Sequence, residues 1–121
     1  MKTSKDPRHL KRIKLMKDLF SFQFSPKRRI PKNIPEIVKN LQQIDGIISQ
    51  CAPDRPIGEI NRIDLAILRL SIFELIFQHG TPPKVVIDEA VELGKEFGSD
   101  SSFSFINGVL GQAVKLKEIK I

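Results

Sequence analysis

The most apolar segment of the chain, NRIDLAILRLSIFELIFQH at residues 61–79, places the strongest constraint on the fold. A surface helix carries its apolar residues on one stripe, but in this segment they occupy nearly every side. Such a helix has to be surrounded by other elements, so we predict that it is the central helix of a bundle. Asn61 can cap its first turn, and His79 followed by Gly80 is a typical helix end.

The rest of the chain also has helical periodicity, with apolar residues at steps of three and four and only weak strand signals. Residues 25–33 are predicted to form a basic linker, and residues 52–59 a loop. Proline and capping residues precede several of the periodic segments. The predicted helices span about 8–24, 35–51, 61–79, 82–97 and 101–118. This pattern predicts an all-α fold.

The pair Asn107-Gly108 is a local signal against the last of these helices, because Asn-Gly between apolar residues favours a two-residue hairpin turn. The surrounding apolar residues nevertheless recur at helical steps, and no alternating strand follows Gly108. We therefore predict a helix across the pair. A glycine inside a helix costs about 1 kcal/mol relative to alanine, so we expect Gly108 and Gly111 to admit the close approach of another helix.

Charge is distributed unevenly along the chain. Residues 1–32 contain eleven Lys or Arg and two Asp, which gives +9, whereas residues 33–121 contain nine Lys or Arg and twelve Asp or Glu, which gives −3. The formal net charge of +6 therefore comes from the N-terminal end. Such an end indicates a polyanionic partner, nucleic acid first and an acidic membrane second, or else a solvated basic tail.

The length and composition indicate the class of protein. At 121 residues the chain is one domain, or two small subdomains that share a core. Cys51 is the only cysteine, so no internal disulfide can form, which is typical of a reducing cytosol. We find no signal peptide and no apolar run near the 18 or so residues that a membrane span needs. We expect a cytoplasmic protein without a membrane segment.

Signatures of catalysis and of metal binding are not found in the sequence. Two histidines and one cysteine cannot by themselves form a zinc site. No phosphate-binding loop, nucleophile elbow or zinc-protease motif is present. Four acidic residues of the predicted fourth helix lie at helical spacing and predict a solvated face: Asp88, Glu89, Glu92 and Glu96. We expect no enzymatic activity, no cofactor and no metal.

Three C-terminal blocks, taken in order and spacing, resemble the NusB family of bacterial transcription antitermination factors. The blocks are RIDLAILRLSIFEL (62–75), PPKVVIDEAVELGKEFG (82–98) and DSSFSFINGVLG (100–111). RIKLMKDLFSFQF (12–24) is a weaker match to the arginine-rich first helix of the family. The resemblance implies a single NusB-like domain over residues 1–121, with helical subdomains at 8–51 and 57–121.

The resemblance also implies an RNA-binding role without catalysis. NusB-like proteins pair with the ribosomal protein NusE, and the pair binds the boxA element of nascent single-stranded RNA. Within the RNA polymerase antitermination complex, they promote read-through of terminators in ribosomal RNA operons. Two features depart from the family pattern: the segment between Phe24 and Ile34 is about one helix shorter than usual, and the basic run of the first helix is sparser.

Candidate RNA-binding residues follow from this resemblance. Four cations match the basic first helix and would contact phosphates with release of counterions; they are Arg8, Lys11, Arg12 and Lys14. Phe105 matches an aromatic residue that lies near bound RNA in the family, and a base can stack on such a ring. Asn107 is a further RNA candidate. The structural alternatives are a solvated face for the cations, core packing for Phe105 and a backbone hydrogen bond for Asn107.

Phe20 and Asp64 are the candidates for binding the protein partner. Each has a structural alternative, since the helical face of Phe20 points to the core and Asp64 can stabilise the N-terminal end of its own helix. Arg69 lies in the most apolar helix, where an unpaired charge would be costly. We predict an ion pair for Arg69, with Glu89 as its partner.

Other functions fit parts of the sequence. A NusB-like accessory domain also precedes the catalytic domain of some ribosomal RNA cytosine methyltransferases, but this sequence has no glycine-rich cofactor loop or catalytic-cysteine motif. A helical DNA-binding regulator would need basic residues on the second of two short helices, and here they lie on the first. A protein–protein adaptor without an RNA site, and pairing of the chain with itself through Leu15 and Phe22, stay open.

Overall fold

The computed structural model describes residues 6–25 and 29–121. Positions 26–28 of the predicted basic linker, and the first five residues, lie outside the described residues. The described chain forms six α-helices: α1 (Pro7–Phe24), α2 (Pro35–Lys39), α3 (Leu41–Cys51), α4 (Arg62–Ile72), α5 (Pro83–Phe97) and α6 (Ser102–Leu116). A 3₁₀ turn, Ile57–Glu59, precedes α4. The described ranges contain no strand, and the predicted all-α fold is confirmed.

Helix α4 is the central helix, as its all-round apolarity predicts. Every residue from Asp64 to Ile72 is buried, and α1, α3, α5 and α6 pack against it. The helix continues as a π-helical turn, Phe73–Phe77. The backbone N–H of Gln78 donates to the Phe73 carbonyl at 3.0 Å. The helical segment thus ends two residues before His79. Gly80 then adopts a φ of 138°, which favours glycine.

The second predicted helix is interrupted, so the prediction of one helix over 35–51 is wrong at Asn40. The Asn40 side-chain amide donates to the Glu36 carbonyl at 2.8 Å, and its backbone has φ −101° and ψ 9°. Asparagine often competes in this way with the hydrogen bonds of a helix. The result is the short α2 followed at once by α3.

Asn107-Gly108 lies inside α6, so the helix predicted across this pair is confirmed. The close approach of helices, however, occurs at a different glycine. A Cβ at Gly108 or Gly111 would have no neighbour within 4 Å, whereas one at Gly94 of α5 would lie 2.8 Å from Ile106 Cδ1. The expectation that Gly108 and Gly111 admit another helix is therefore wrong. Gly94 instead allows α5 and α6 to pack together.

One hydrophobic core joins helices from both predicted subdomains, including Met16 and Leu19 of α1, Ile44 of α3, Leu68 of α4 and Leu110 of α6. The division into subdomains at 8–51 and 57–121 stays a prediction. Among the described helices, none is long and apolar enough to cross a membrane.

Candidate nucleic-acid interface

Three of the four predicted RNA-binding cations lie on the solvent side of α1. Arg8, Lys11 and Lys14 are exposed. Asp6 caps the first turn of the helix, and its carboxylate Oδ1 accepts a hydrogen bond from the Arg8 backbone amide at 2.8 Å. Lys14 Nζ donates to Asp18 Oδ1 at 2.8 Å, which partly neutralises its charge. Arg8 also pairs with a carboxylate, since its Nε lies 3.6 Å from Asp6 Oδ1. Lys17 is a further exposed cation of α1.

Arg12, the fourth predicted cation, is only 9% exposed and does not face solvent with its neighbours. Its guanidinium donates to Glu74 through Nη2 at 2.8 Å and Nε at 3.0 Å, and to Glu89 Oε1 through Nη1 at 3.3 Å. The hydrogen bonds to Glu74 raise the pKa of Arg12 despite its burial. This geometry contradicts the predicted phosphate contact of Arg12. The residue instead fixes α1 against the π-helical turn and α5.

His9 belongs to the same buried cluster and was not predicted to have a role. It is 6% exposed, with Nδ1 3.2 Å from Glu89 Oε2 and Nε2 3.0 Å from Glu96 Oε2. A neutral imidazole donates through one nitrogen only, so two carboxylate partners favour the imidazolium form. Burial by itself would lower the pKa of His9, but the hydrogen bonds to Glu89 and Glu96 outweigh it and raise the pKa. The expectation that Glu89 is solvated is wrong, because it is 1% exposed.

A groove of about 480 Å³ lies between α1, α2 and the segment that follows α4. Arg8, Lys11 and Arg12 line it together with His79. Leu15 of α1 also lines the groove. The residues that line its other sides are Asn33, Glu36, Ile37, Leu70, Phe73, Glu74, Gln78 and Thr81. The lining of the groove therefore combines apolar and basic side chains with the acidic Glu36 and Glu74.

Phe105 lies in a different place, beside a pocket of about 340 Å³ between α6 and the start of the loop that follows α3. Its ring is half-buried, and Cζ of Arg55 lies 4.2 Å from the ring centroid. Asn107 is exposed but is not among the residues that line this pocket. The pocket and the groove share no lining residue, so the predicted basic and aromatic groups form two separate sites. Arg55 was not predicted to have a role, because it lies in a loop without periodicity.

The two residues predicted to bind the protein partner occupy different environments. Phe20 is half-buried against the core, and its ring meets that of Phe24 edge to face at 5.0 Å. Phe24 is 60% exposed, with the Arg62 guanidinium 6.0 Å from its centroid. Asp64 is only 3% exposed, which contradicts a direct partner contact in this conformation. Burial raises the pKa of the Asp64 carboxyl, although Ser102 and Arg55 oppose this shift.

Arg69 forms an ion pair, but the predicted partner is wrong. Its Nε and Nη2 donate to the two carboxylate oxygens of Asp45 at 2.9 and 2.8 Å. This two-point contact joins α3 to the central helix, whereas Glu89 faces His9 and Arg12. Arg69 is therefore a structural residue of the core.

Comparison with known proteins places this fold in a family. Residues 21–115 match the NusB family model, and the chain belongs to the NusB family. The transcription antitermination protein NusB of Treponema denticola is 47% identical over 73 residues, which cover 60% of this chain and 54% of that protein. The chain spans about half the length of the curated relatives it matches.

Solved structures have the same fold. T. maritima NusB is 30% identical with a TM-score of 0.82, and the match covers 95% of this chain and 93% of that chain. A chain from the crystal structure of the antitermination factors NusB and NusE in complex with dsRNA is 22% identical with a TM-score of 0.76. That match covers 92% of this chain and 99% of that one, and at this identity it shows the fold alone.

Proposed function

We propose that the protein is an RNA-binding transcription antitermination factor that acts together with NusE. In this proposal the pair binds boxA-like RNA and promotes read-through of terminators in ribosomal RNA operons, as part of the cytoplasmic RNA polymerase antitermination complex. Membership of the NusB family over residues 21–115 is the observation that carries the proposal. The protein acts by binding, without a catalytic step.

The exposed cations of α1 supply the contact with the RNA backbone. Arg8 and Lys11 extend from the rim of the groove, and Lys14 lies one turn further along the same helix. Contacts of these residues with phosphates release counterions and position the strand without reading its sequence. Arg12 contributes indirectly, because its buried ion pair with Glu74 holds α1 in place.

The second site supplies contacts with bases. The Phe105 ring lines the pocket beside α6, and unpaired RNA bases stack on aromatic rings of this kind. Asn107 lies two residues further along α6 with an exposed amide that can donate to and accept from a base edge. Two separated sites, one basic and one aromatic, suit a single strand that crosses the protein.

The surface for NusE is proposed at the C-terminal end of α1. Phe20 supports the exposed ring of Phe24, and Arg62 at the start of α4 extends this surface. A structure of related antitermination factors contains NusB and NusE together with dsRNA, which supports such a pairing. Asp64 is buried in the first turn of α4, so in this proposal it positions that turn and does not contact NusE directly. Pairing of the chain with itself stays a prediction.

The test is the fluorescence anisotropy of a labelled boxA-like RNA, titrated with the protein at two salt concentrations, with and without NusE. A scrambled RNA of the same length is the control for sequence. We expect selective binding that weakens with salt and is strengthened by NusE. Binding that is absent, or that is indifferent to both RNA sequence and NusE, would contradict the proposal.

A further inference from the structure

The aromatic ring proposed to receive an RNA base is covered by the side chain of Arg55. Cζ of Arg55 lies 4.2 Å from the Phe105 centroid, well within the limit of about 6 Å for a cation–π contact. No base fits into a gap of that size, so the guanidinium has to move before a base can use this face of the ring. Arg55 is exposed, so its end group is not enclosed by packed side chains, and its charge also acts on the Asp64 carboxyl.

The lining of the pocket suits an uncharged planar group better than a phosphate. Asp54 and Arg55 place one negative and one positive charge at its edge, and these charges offset each other. The walls include Ala52 and Cys51. Burial raises the pKa of the Cys51 thiol, so this group is uncharged at neutral pH. An aromatic face, small apolar walls and a neutral rim together fit a nucleobase.

Gly108 supplies an independent observation. It lines the pocket, and a Cβ at this position would have no protein atom within 4 Å. Internal packing therefore does not require glycine here, although glycine is a poor helix former. Gly111, one turn further along α6, has the same open surroundings but does not line the pocket. A side chain at Gly108 would therefore start at the wall of the pocket without meeting another residue.

We propose that Arg55 is the positioning residue of a one-base pocket, in which an unpaired RNA base stacks on Phe105 beside Gly108 and the guanidinium of Arg55 closes over the opposite face of the base. This inference rests on the proposed RNA-binding function. Stacking of a base on an aromatic ring outweighs an exposed cation–π contact, so exchange of the guanidinium for the base is favourable. The displaced guanidinium keeps a stacking partner, because it then lies on the base.

The first test uses two matched valine variants in the anisotropy experiment, with NusE present. Gly108→Val places a rigid side chain in the pocket and should weaken binding of boxA-like RNA about tenfold, the expected loss of one stacked base. Gly111→Val makes the same change outside the pocket and should alter binding less than twofold. Circular dichroism of both variants checks that they are folded. The salt dependence should be the same for both, because no phosphate contact is removed.

A second pair of variants tests Arg55 itself, which lies in an exposed loop. Arg55→Ala should weaken binding severalfold, and Arg55→Lys should restore little, because lysine keeps the charge but has no planar group to stack. RNAs with one abasic position each then locate the base. Loss of the base that occupies the pocket should weaken binding of the RNA to the wild-type protein. With that same abasic RNA, wild type and Gly108→Val should bind with equal affinity.

The outcomes separate this inference from the proposed function. If wild type binds boxA-like RNA selectively but Gly108→Val and Arg55→Ala bind equally well, the pocket is overturned and the function stands. A Gly108→Val penalty that persists with every abasic RNA is structural and also overturns the pocket. If wild type shows no selective binding, the proposed function and this inference both fall.

Discussion

The guanidinium of Arg12 and the carboxylate of Glu74 form a buried two-point ion pair, with Nη2 2.8 Å from Oε1 and Nε 3.0 Å from Oε2. The two side chains are each 10% exposed, and they join α1 to the π-helical turn after α4. Arg8 and Lys11 lie on the same helix as Arg12. The direction in which these exposed cations face therefore depends on a contact that is itself largely buried.

Removal of Arg12 should be strongly destabilising. Arg12→Ala leaves the Glu74 carboxylate buried without its guanidinium partner, and breaking a buried pair in this way costs about 3–5 kcal/mol of unfolding free energy. The matched control is Lys11→Ala, one residue earlier on the exposed face, which should change stability by less than about 0.5 kcal/mol. Urea unfolding at pH 7 measures both. Equal stability of the two variants would show that the ion pair is not needed for folding.

The imidazolium of His9 should make stability depend on pH. Its folded-state pKa is raised above the ordinary value of 6.5. The stabilisation is therefore complete below about pH 6.5 and is lost as the pH rises through the folded-state pKa. We expect the unfolding free energy to fall above neutral pH, measured by urea unfolding between pH 6 and 9. NMR titration of the His9 ring protons gives the folded-state pKa directly.

A matched pair of variants on α5 assigns this dependence to His9. Glu96→Gln removes one carboxylate partner and should flatten the pH dependence, with a loss of about 0.5 kcal/mol at pH 6 because Glu96 is partly exposed. Glu92→Gln changes an exposed carboxylate of the same helix and should leave the curve unchanged. Stability that rises with pH above 6.5 would be the opposite of the expected sign.

Gly94 and Gly111 should respond in opposite directions to alanine. A Cβ at Gly94 would lie 2.8 Å from the Cδ1 atom of the fully buried Ile106 and 3.4 Å from the Phe103 amide nitrogen. Overpacking of about 1–3 kcal/mol then exceeds the helix-propensity gain of about 1 kcal/mol, so Gly94→Ala should be destabilising. Gly111→Ala meets no neighbour and should stabilise by up to about 1 kcal/mol. Thermal unfolding of both variants is the measurement, and stabilisation by Gly94→Ala would contradict the close packing.

Local patterns in the sequence predicted the elements of the fold well. The helical period depends on neighbouring residues, so the helices and the central position of α4 followed from the spacing of apolar side chains. Asn40 shows where such patterns stop, because one side-chain hydrogen bond to the Glu36 carbonyl interrupts an otherwise periodic segment. The π-helical turn after Ile72 likewise has no sequence signal in its apolar pattern.

The buried charges could not be predicted from spacing, because their partners are distant in sequence. Arg12 contacts Glu74 and Glu89, which are 62 and 77 positions away. On α1 alone Arg12 looks like its exposed neighbours, and on α5 alone Glu89 looks like part of an acidic face. A carboxylate in an apolar helix was the available signal, since such a group needs a buried cation. The contact between Arg55 and Phe105 could not be predicted for the same reason, because the two residues are far apart in the chain.

The exposed cations of α1 should contribute separately to the salt dependence of RNA binding. For single-stranded RNA, each phosphate contact contributes about 0.7 to the slope of log affinity against log salt concentration. Removal of one contact should lower the slope by that amount. Lys11→Ala should lower the slope by about that amount and weaken binding to boxA-like and scrambled RNA equally, because phosphate contacts carry no sequence information. Lys120→Ala, an exposed cation near the other end of the chain, is the control and should leave the slope unchanged. Equal slopes for wild type and Lys11→Ala would contradict the proposed contact between α1 and the RNA backbone. The groove lined by Arg8 and Lys11 would then bind something other than this RNA.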